Sequence, residues 1–379
     1  MVRKSFVALL LVGVLAVGAA PGDTLFSPLG QVYQLIHDYY YQADEISDST
    51  LLHGAIRGVV DALGDPYSTF FTPDEYQSWE ESLSGEYSGV GIEITLRNGR
   101  ITVVAPFPGT PAEAGGIRPG DWIQAVDGEL TEGWTLEKAS SHIRGPEGTV
   151  VVLTVQHDDG TVEDIPLVRQ KIQIESVRSE YRAEEKVGYV QILRFDFDTP
   201  GLLGQALFSF PLQNLAGIVI DLRNNPGGIL SAAVESASYF VDRGPIVRIQ
   251  GPSFGERTYS SRGNSVPNIP VAILVNEGTA SAAEIMAGAI QDHGMGILVG
   301  RPTFGKGLVQ EIVMRFPDGG AIKLTTGEYF TPLGRSVHDV GLTPEILVER
   351  VEGEEGDPEL EAALAWIRDG ARVPVGAGR

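Results

Sequence analysis

Ser281 is the first candidate for chemistry in this chain of 379 residues. It lies in the segment NEGTASAAEIMAGAI, residues 276–290, directly after the apolar run VAILV. The pattern predicts a buried strand, a turn of small residues and a helix that begins near Ser281. A nucleophilic serine fits well at such a turn, but its hydroxyl is a weak nucleophile until a base takes its proton. The question is therefore which residue could be that base.

The six histidines offer no ready partner, and none lies in an HExxH or comparable metal-binding pattern. His293 follows the predicted helix and would lie roughly 18 Å from Ser281 at 1.5 Å per residue, too far to deprotonate it. His338 could approach from another segment, which leaves a Ser-His pair open. GxSxG is absent around Ser281, which argues against an α/β-hydrolase site. The chain has no cysteine, so disulfides, cysteine-based metal sites and a thiol nucleophile are excluded.

A lysine is the alternative base for a serine. Its neutral amine can accept the proton only if its pKa falls well below about 10.4, and apolar burial lowers it by disfavouring the ammonium. Lys306 lies in LVGRPTFGKGLVQEIV, between Gly305 and Gly307 and among apolar residues. The ordinary fate of a lysine is to point into solvent, so this segment supplies a candidate base and leaves the assignment open.

The first two stretches of the chain differ in the secondary structure that their sequence patterns predict. Residues 24–80 carry three helical patterns, the second with Ser49 or Thr50 as its cap and the third capped by Thr72. Residues 87–170 consist of short strand-like runs broken by glycine and proline, with a hairpin signal at Asn98-Gly99.

Beyond these lies the stretch that contains both candidate residues. From Ile172 to about Glu349, strand-like and helix-like segments alternate, which predicts an α/β core. An amphipathic helix follows, with Asp357 as its cap and Pro358 in its first turn.

The N-terminus bears on localisation. Arg3 and Lys4 precede an apolar run, Phe6 to Val17, and small residues follow, the pattern of a secretory signal. The run is short for a membrane span of about 20 residues, so a cleaved signal and an N-terminal anchor both stay open. We expect export to a periplasm or cell envelope, with the protein secreted or anchored.

The charge balance bears on partners. With 28 basic and 50 acidic residues, the formal charge of −22 should repel nucleic acid, and no basic cluster counters it.

The middle stretch resembles a PDZ domain. Ser88-Gly89-Val90-Gly91-Ile92 stands in the place of that family's carboxylate-binding loop, and the run from Pro111 to Asp121, PAEAGGIRPGD, supports the match. In this mode of recognition, backbone N–H groups at the loop hold a peptide's C-terminal carboxylate while the peptide adds a strand to the sheet edge. The resemblance implies that Gly89, Val90, Gly91 and Ile92 bind peptide.

The whole chain resembles the C-terminal processing peptidases, serine proteases of family S41 with a Ser-Lys dyad. The resemblance rests on five segments: TASAAE, RPTFGKGLVQ, DLRNNPGG, GEYFTPLGRSVHDVGLTPEI and DPYSTFFTPDEY. In the first two, Lys306 follows Ser281 by 25 residues and Gln310 follows Lys306 by four. It covers nearly the entire chain, in the order signal, helical region, PDZ domain and protease core.

This resemblance implies a role for each matching residue. Ser281 would be the nucleophile, Lys306 the general base and then the acid, and Gln310 the residue that holds the lysine amine. If the segment is helical, Lys306 and Gln310 share a face at the i, i+4 spacing. The oxyanion hole would use the N–H of Ala282 and that of Gly227, with Gly228 as the alternative.

Three further residues have two interpretations each. Arg144, in IRGPEGT, is a regulatory candidate that could report peptide binding to Lys306 or Gln310, or an ordinary arginine at a helix C-terminus. Asp221 and Arg223 could brace the oxyanion turn or form an ion pair at a strand end.

These features together predict an exported serine endopeptidase that recognises protein C-termini through its PDZ domain and needs no cofactor or metal. The rivals are a non-catalytic PDZ adaptor on a protease-like fold and a crotonase-type enzyme such as an acyl-CoA hydratase. The substrates would be proteins or peptides with free C-termini, while membrane association and homodimer formation stay open.

The expected fold is a multidomain α+β and α/β chain, with a PDZ β-sandwich-like domain and a crotonase- or ClpP-like α/β protease core. The expected divisions are a signal peptide or anchor, a helical region, a PDZ domain, a protease core and a C-terminal helical segment, at residues 1–22, 23–85, 86–170, 171–350 and 351–379.

Overall fold

A computed structural model describes residues 26–84, 86–107, 109–134, 136–157, 159–173, 175–267, 269–349 and 356–370. These residues separate into two units, one that ends at Phe70 and one that begins at Phe71. The predicted signal peptide or anchor at residues 1–22 lies outside the described part. In the ranges given above, no helix has the length and apolar character needed to cross a membrane.

The first unit is helical, as predicted. Its elements are α1 (Ser27–Tyr39), a 3₁₀ turn (Ala43–Glu45) and α2 (Asp48–Asp61). The hydroxyl of Ser47 caps α2 by accepting the N–H of Thr50 at 3.1 Å. The predicted caps Ser49 and Thr50 were therefore wrong, because three hydroxyl residues within four positions made the start of the helix ambiguous to the sequence pattern. A short strand, β1 (Thr69–Phe71), follows in the chain.

The second unit opens with helix α3 (Pro73–Ser84). Thr72 caps it as predicted: the Glu75 N–H donates to the Thr72 hydroxyl at 3.4 Å, and the Thr72 N–H donates to the Glu75 carboxylate at 2.8 Å. This reciprocal capping satisfies two amides that the first helical turn leaves without partners.

Residues 86–173 contain a PDZ-like module. Its elements are β2 (Glu86–Gly89), β3 (Ile92–Arg97), β4 (Arg100–Pro106), α4 (Pro111–Ala114), β5 (Trp122–Val126), β6 (Glu129–Leu130), α5 (Leu136–Ile143), β7 (Val150–Gln156), β8 (Val162–Val168) and β9 (Gln170–Gln173). The sheet runs β3-β4-β5-β7-β8, with β6 on β5, and β2 pairs with β9 as a separate ribbon. Asn98 and Gly99 join β3 to β4 with φ of 53° and 73°, the two-residue hairpin turn that the sequence predicted.

A buried histidine bridges two carboxylates in this module. The Nδ1 atom of His157 lies 2.8 Å from Asp121, and its Nε2 atom lies 2.7 Å from Glu163. Hydrogen bonds to Glu163 and then to Asp121 raise the pKa of His157 above its usual value, since both favour the imidazolium. This bridge joins the loop before β5 to the β7–β8 hairpin.

The rest of the second unit is the predicted α/β core. Its elements are β10 (Val177–Arg182), β11 (Val187–Ile192), α6 (Thr199–Ser209), a 3₁₀ turn (Leu212–Asn214), β12 (Gly217–Asp221), α7 (Leu230–Ala237), β13 (Pro245–Gly251), β14 (Gly255–Ser260), β15 (Val271–Val275), α8 (Ala282–Asp292), β16 (Gly296–Gly300), β17 (Leu308–Arg315), β18 (Ala321–Phe330), β19 (Ile346–Leu347) and α9 (Pro358–Arg368). The main sheet runs β10-β11-β12-β15-β16-β19 and is parallel from β11 onward.

Both faces of the main sheet are covered by helices. Ile218, Ile220 and Ile273 pack in one apolar cluster with residues of α6, α7 and α8. Val219 and Leu274 point to the opposite face and pack with residues of α9. Burial on both faces explains why β12 and β15 read as continuous apolar runs.

A second group of antiparallel strands stands beside this sheet: β18 pairs with β17 and with β13, and β13 pairs with β14. The chain passes directly from the main sheet into this group through the segment that carries Lys306. The candidate site therefore lies where the carboxyl ends of the parallel strands meet β17 and β18.

Candidate active site

Ser281 lies at the turn between β15 and α8, as the last residue before the helix begins. Its backbone has φ 54° and ψ −118°, a conformation that residues other than glycine rarely adopt. The preceding residues hold the turn in place: the Thr279 hydroxyl donates to the Leu222 carbonyl at 2.8 Å, and the Asn276 side chain accepts the N–H of Asn224 at 2.9 Å. The turn that carries Ser281 is thus fixed against the turn that follows β12.

A buried carboxylate fastens this turn to the segment of Lys306. Glu284 is fully buried in the first turn of α8. Its Oε2 atom accepts the N–H of Ser281 at 2.9 Å and the N–H of Lys306 at 3.0 Å. Because one oxygen accepts both bonds, the two amide nitrogens lie within about 6 Å of each other. Glu284 therefore brings the two candidate residues together.

The other carboxylate oxygen of Glu284 also accepts hydrogen bonds. Oε1 accepts the Thr303 hydroxyl at 2.5 Å and the Gly305 N–H at 2.8 Å. The hydroxyl of Tyr329 lies 3.4 Å from Oε2 and donates at 3.2 Å to the Ser281 carbonyl. Burial, and then the adjacent Glu284 carboxylate, raises the pKa of Tyr329 well above its usual value, which keeps this hydroxyl a donor.

Sequence reasoning missed Glu284, although a signal for it was present. Serine followed three residues later by glutamate is the pattern of a capping box, in which the glutamate reaches back to the N–H of the cap residue. That pattern predicts the bond to Ser281. The bonds to Thr303, Gly305 and Lys306 are long-range, and no local pattern predicts them.

Lys306 lies in the loop between β16 and β17, and its side chain is half-buried. Gly305 has a φ of 86°, and a Cβ atom there would come within 2.9 Å of the Gly341 nitrogen. A Cβ atom at Gly307 would come within 2.5 Å of the His338 nitrogen. The two glycines that flank Lys306 in the sequence thus let this loop pass close against residues 337–341.

Gln310 lies in β17, so the helical i, i+4 relation to Lys306 proposed from the sequence is wrong. The segment GLVQEIV carries enough β-branched residues to form a strand, and antiparallel pairing with β18 fixes it there. The Gln310 side-chain NH₂ donates to the Thr325 hydroxyl at 3.3 Å. This bond orients the amide and leaves its carbonyl oxygen as the acceptor for another donor.

One cavity of about 370 Å³ brings the candidate residues together. Ser281, Ala282, Lys306, Gln310 and Gly228 all line it. Among the described residues that line this cavity, neither His293 nor His338 occurs. His293 instead contacts the Pro245 carbonyl through Nε2 at 2.7 Å, and His338 lies 3.6 Å from Asp339.

The two glycines proposed for the oxyanion hole differ in their surroundings. The Gly227 N–H donates to the Asn225 side chain at 2.9 Å. Gly228 lines the cavity, and its φ is 138°. A Cβ atom at Gly227 would come within 2.8 Å of Ser281 Cβ and of the Ala282 nitrogen, so this turn touches the turn that carries Ser281. Only glycine permits such an approach here.

Asp221 and Arg223 form part of an ion-pair network with the C-terminal helix. The Arg223 guanidinium donates to Asp221 at 2.6 Å and to Asp357 at 2.7 Å, and Asp357 caps α9 as predicted. Burial opposes the charge on Arg223, but hydrogen bonds to both carboxylates raise its pKa above the usual value. Since Arg223 also precedes the turn of Gly227 and Gly228, its contacts fit both interpretations drawn from the sequence.

The proposed peptide-binding residues of the PDZ-like module line a small groove of about 40 Å³ between β3 and α5. Val90, Gly91 and Ile92 lie along it, and Arg144 lies beside them. Gly89 instead ends β2, where it pairs with Gln170.

The loop at this groove is supported from behind by a threonine. Gly91 has a φ of 77°, and a Cβ atom there would come within 2.4 Å of Thr110 Cβ. The Thr110 hydroxyl donates to the Phe107 carbonyl at 2.6 Å and lies 3.2 Å from the Gly91 carbonyl. Gly91 therefore has both a backbone and a steric reason to be glycine.

Comparison with family models divides the chain into three matches. Residues 20–74 match the N-terminal domain of the activating protease CtpB, residues 102–157 match a PDZ domain, and residues 186–348 match peptidase family S41. The third range contains Ser281, Lys306 and Gln310.

Individual relatives agree with these matches. The chain is 38% identical over 322 residues to a "Probable CtpA-like serine protease" of Staphylococcus aureus (strain COL), covering 84% of this chain but only 64% of that relative's length. It is 34% identical over 332 residues to the carboxy-terminal processing protease CtpA of Bacillus subtilis (strain 168), covering 87% of this chain and 70% of the relative.

A solved structure, the photosystem II D1 C-terminal processing protease, is also similar. Its TM-score is 0.56 at 30% identity, over 93% of this chain and 99% of the other. Sequence, domain order and fold lead to the same assignment: the chain belongs to peptidase family S41, among the C-terminal processing peptidases that carry a PDZ domain.

Proposed function

We propose that this protein is a serine endopeptidase that cleaves proteins near their C-termini, with Ser281 as nucleophile and Lys306 as general base. The observation that carries the proposal is the Glu284 carboxylate, one oxygen of which accepts the backbone N–H of both residues at 2.9 and 3.0 Å. Both residues also line one cavity. A non-catalytic adaptor would not need a buried charge that holds a serine and a lysine together.

The reaction would proceed in two steps. The Ser281 hydroxyl attacks the scissile carbonyl as the neutral Lys306 amine takes its proton, and Lys306 returns that proton to the leaving amine. Water, deprotonated in turn by Lys306, then attacks the acyl-enzyme, and Lys306 returns that proton to the departing Ser281 oxygen as the acid product is released. Gln310 orients the lysine through its side-chain carbonyl, an arrangement supported by the bond of its NH₂ group to Thr325.

The developing negative charge on the carbonyl oxygen needs two aimed donors. Ala282 is the first residue of α8, where a backbone N–H has no acceptor within the helix. We propose Gly228 as the second donor, since it lines the cavity with Ala282. Gly227 is the alternative, and its N–H would first have to leave Asn225.

The PDZ-like module would bind the substrate's C-terminus. β3 is the edge strand of its sheet, so an extended peptide can pair with it in the groove beside α5. The amides of Val90, Gly91 and Ile92 would hold the terminal carboxylate. Arg144 lines the same groove, so its guanidinium is placed to contact that carboxylate. The wider proposal is that Arg144 reports peptide binding to Lys306 or Gln310.

Export stays a proposal based on the N-terminal sequence, and homodimer formation and membrane association stay open. The division into five segments is likewise a proposal, and β9 (Gln170–Gln173), which pairs with β2, would move its boundary between the PDZ domain and the core from residue 170 to residue 173.

The test compares the wild type with Ser281→Ala and Lys306→Met on an unstructured protein ending in an apolar tail. Both variants should lose cleavage by more than a thousandfold, while the exposed controls Ser231→Ala and Lys186→Met should cleave as the wild type does. Mass spectrometry would then locate the new C-termini. Unchanged cleavage in Ser281→Ala would refute the Ser-Lys mechanism, and peptide binding without any cleavage would favour the adaptor.

A further inference from the structure

A second lysine lies in the active-site cavity. Lys323 lines it together with Ser281 and Lys306. It belongs to β18, where it pairs in register with Ile312 of β17. Side chains two apart on a strand share a face, so Lys323 and Thr325 lie on the same side of β18. Thr325 bonds Gln310, so this side of the strand faces the reacting groups, and Tyr329 also lines the cavity.

Aromatic rings of the second unit hold the Lys323 ammonium in place. It lies 5.2 Å from the ring centre of Phe71 and 5.8 Å from that of Trp79. These two rings stack on each other with centres 5.5 Å apart, and Trp79 itself lines the cavity. A cation within about 6 Å of an aromatic face is attracted by the ring quadrupole, so the two rings position the Lys323 side chain at the cavity wall.

The charged side chains that line this cavity are basic, whereas the chain as a whole is acidic. The formal charge of the chain is −22. Among the described residues that line the cavity, the charged ones are Lys306 and Lys323, and the remainder of the wall is mostly apolar. Cationic groups in a cleft with apolar walls concentrate the field and favour an anionic ligand group.

The two lysines cannot share one task. A general base must present a neutral amine, so Lys306 cannot serve at the same time as the cation that binds an anion. Lys323, held over two rings, is the cation that remains.

Resting on the proposed peptidase function, we propose that Lys323 binds a carboxylate of the substrate close to the scissile bond. This carboxylate belongs to an Asp or Glu side chain or is the substrate's free C-terminus, and the two sources share the same chemistry. Lys323 is then a specificity-determining residue that favours substrates with negative charge at the cleavage site.

The experiment uses the full chain and matched peptides that end in the same apolar tail. One arm compares Glu with Gln at each position within three residues of the cleavage site. A second arm compares free with amidated C-termini. For each pair, kcat/KM for the negatively charged peptide is divided by kcat/KM for its neutral counterpart. This ratio is measured in the wild type, in Lys323→Gln, Lys323→Arg and Lys323→Glu, and in the control Lys186→Gln. Lys186 is exposed in the turn between β10 and β11, at the amino end of the parallel strands, whereas the site lies at their carboxyl ends.

We expect the wild type to prefer the negatively charged member of one pair by about tenfold, as a charged hydrogen bond in a partly buried site allows. Lys323→Gln should remove that preference, Lys323→Arg should keep it, and Lys323→Glu should reverse it. Because PDZ binding of the terminal carboxylate is common to all variants, only a change of the ratio between variants counts in the second arm. The arm in which the ratio changes identifies the source of the carboxylate.

Ratios that are the same in wild type and Lys323→Gln, in both arms, would overturn the inference. If Ser281→Ala abolishes cleavage while these ratios stay equal, the proposed function stands and the role of Lys323 fails. If cleavage does not depend on Ser281, the proposed function fails. A role of Lys323 in stability alone would lower the unfolding midpoint and leave every substrate ratio unchanged.

Discussion

Glu284→Gln should destabilise the protein and slow catalysis, although it only replaces one carboxylate oxygen of a fully buried side chain by an NH₂ group. The carboxylate accepts three backbone N–H groups, those of Ser281 and Lys306 on one oxygen and that of Gly305 on the other. A glutamine amide has only one acceptor oxygen. Whichever way it turns, an NH₂ group faces at least one of these N–H donors.

The expected loss in unfolding free energy follows from the number of N–H donors that lose their acceptor. A buried N–H without an acceptor costs about 1–3 kcal/mol, and the bonds that remain lose the assistance of the negative charge. We expect Glu284→Gln to lower the free energy of unfolding by about 2–4 kcal/mol. This is a substantial part of the 5–15 kcal/mol that is typical of a folded domain, but it leaves the protein folded at 25 °C.

The assay is urea unfolding followed by circular dichroism, together with kcat and KM at 25 °C on the folded variant. We expect kcat to fall by about tenfold or more with a small change in KM, because Ser281 and Lys306 lose the common acceptor that sets their separation. The control is Glu235→Gln, an exposed glutamate on the neighbouring helix α7, which should stay within about 0.5 kcal/mol of the wild type. A Glu284→Gln protein with wild-type stability and kcat would refute this account of the site.

Three further outcomes are expected. Gly91→Ala should abolish binding of C-terminal peptides, measured by calorimetry, because its Cβ would lie 2.4 Å from Thr110, and Thr110→Gly in the same chain should restore part of the binding. Gly228→Ala should lose most of its kcat, because its Cβ would lie 2.0 Å from the Phe195 carbonyl; wild-type kcat would count against the turn as an oxyanion donor. Bonds to its two carboxylate partners raise the pKa of His157, so the stability that His157 contributes is complete below its usual pKa of 6.5 and is lost as pH rises through the higher pKa of the folded state. The difference in unfolding free energy between wild type and His157→Gln should therefore narrow above that pH. A difference that does not change with pH would contradict the bridge.

Local patterns determined much of the architecture. The hairpin at Asn98-Gly99 follows from two residues that tolerate positive φ, and the start of α9 follows from the capping side chain of Asp357. The alternation of apolar strands and helices predicted the α/β core because burial on both faces of a parallel sheet leaves a visible pattern. Ser281 was identified in the same way, from the strand, turn and helix around it.

Only the tertiary structure decided which residues meet at the site. The Glu284 bonds to Gly305 and Lys306 span 21 and 22 residues, and the position of Lys323 in the cavity depends on the pairing of β18 with β17. Gln310 lies in a strand because that pairing, and not helical propensity, fixes its backbone. Sequence patterns record how a segment folds on its neighbours in the chain, whereas contacts between distant segments depend on the packing of the whole core, and the chemistry of this site depends on those contacts.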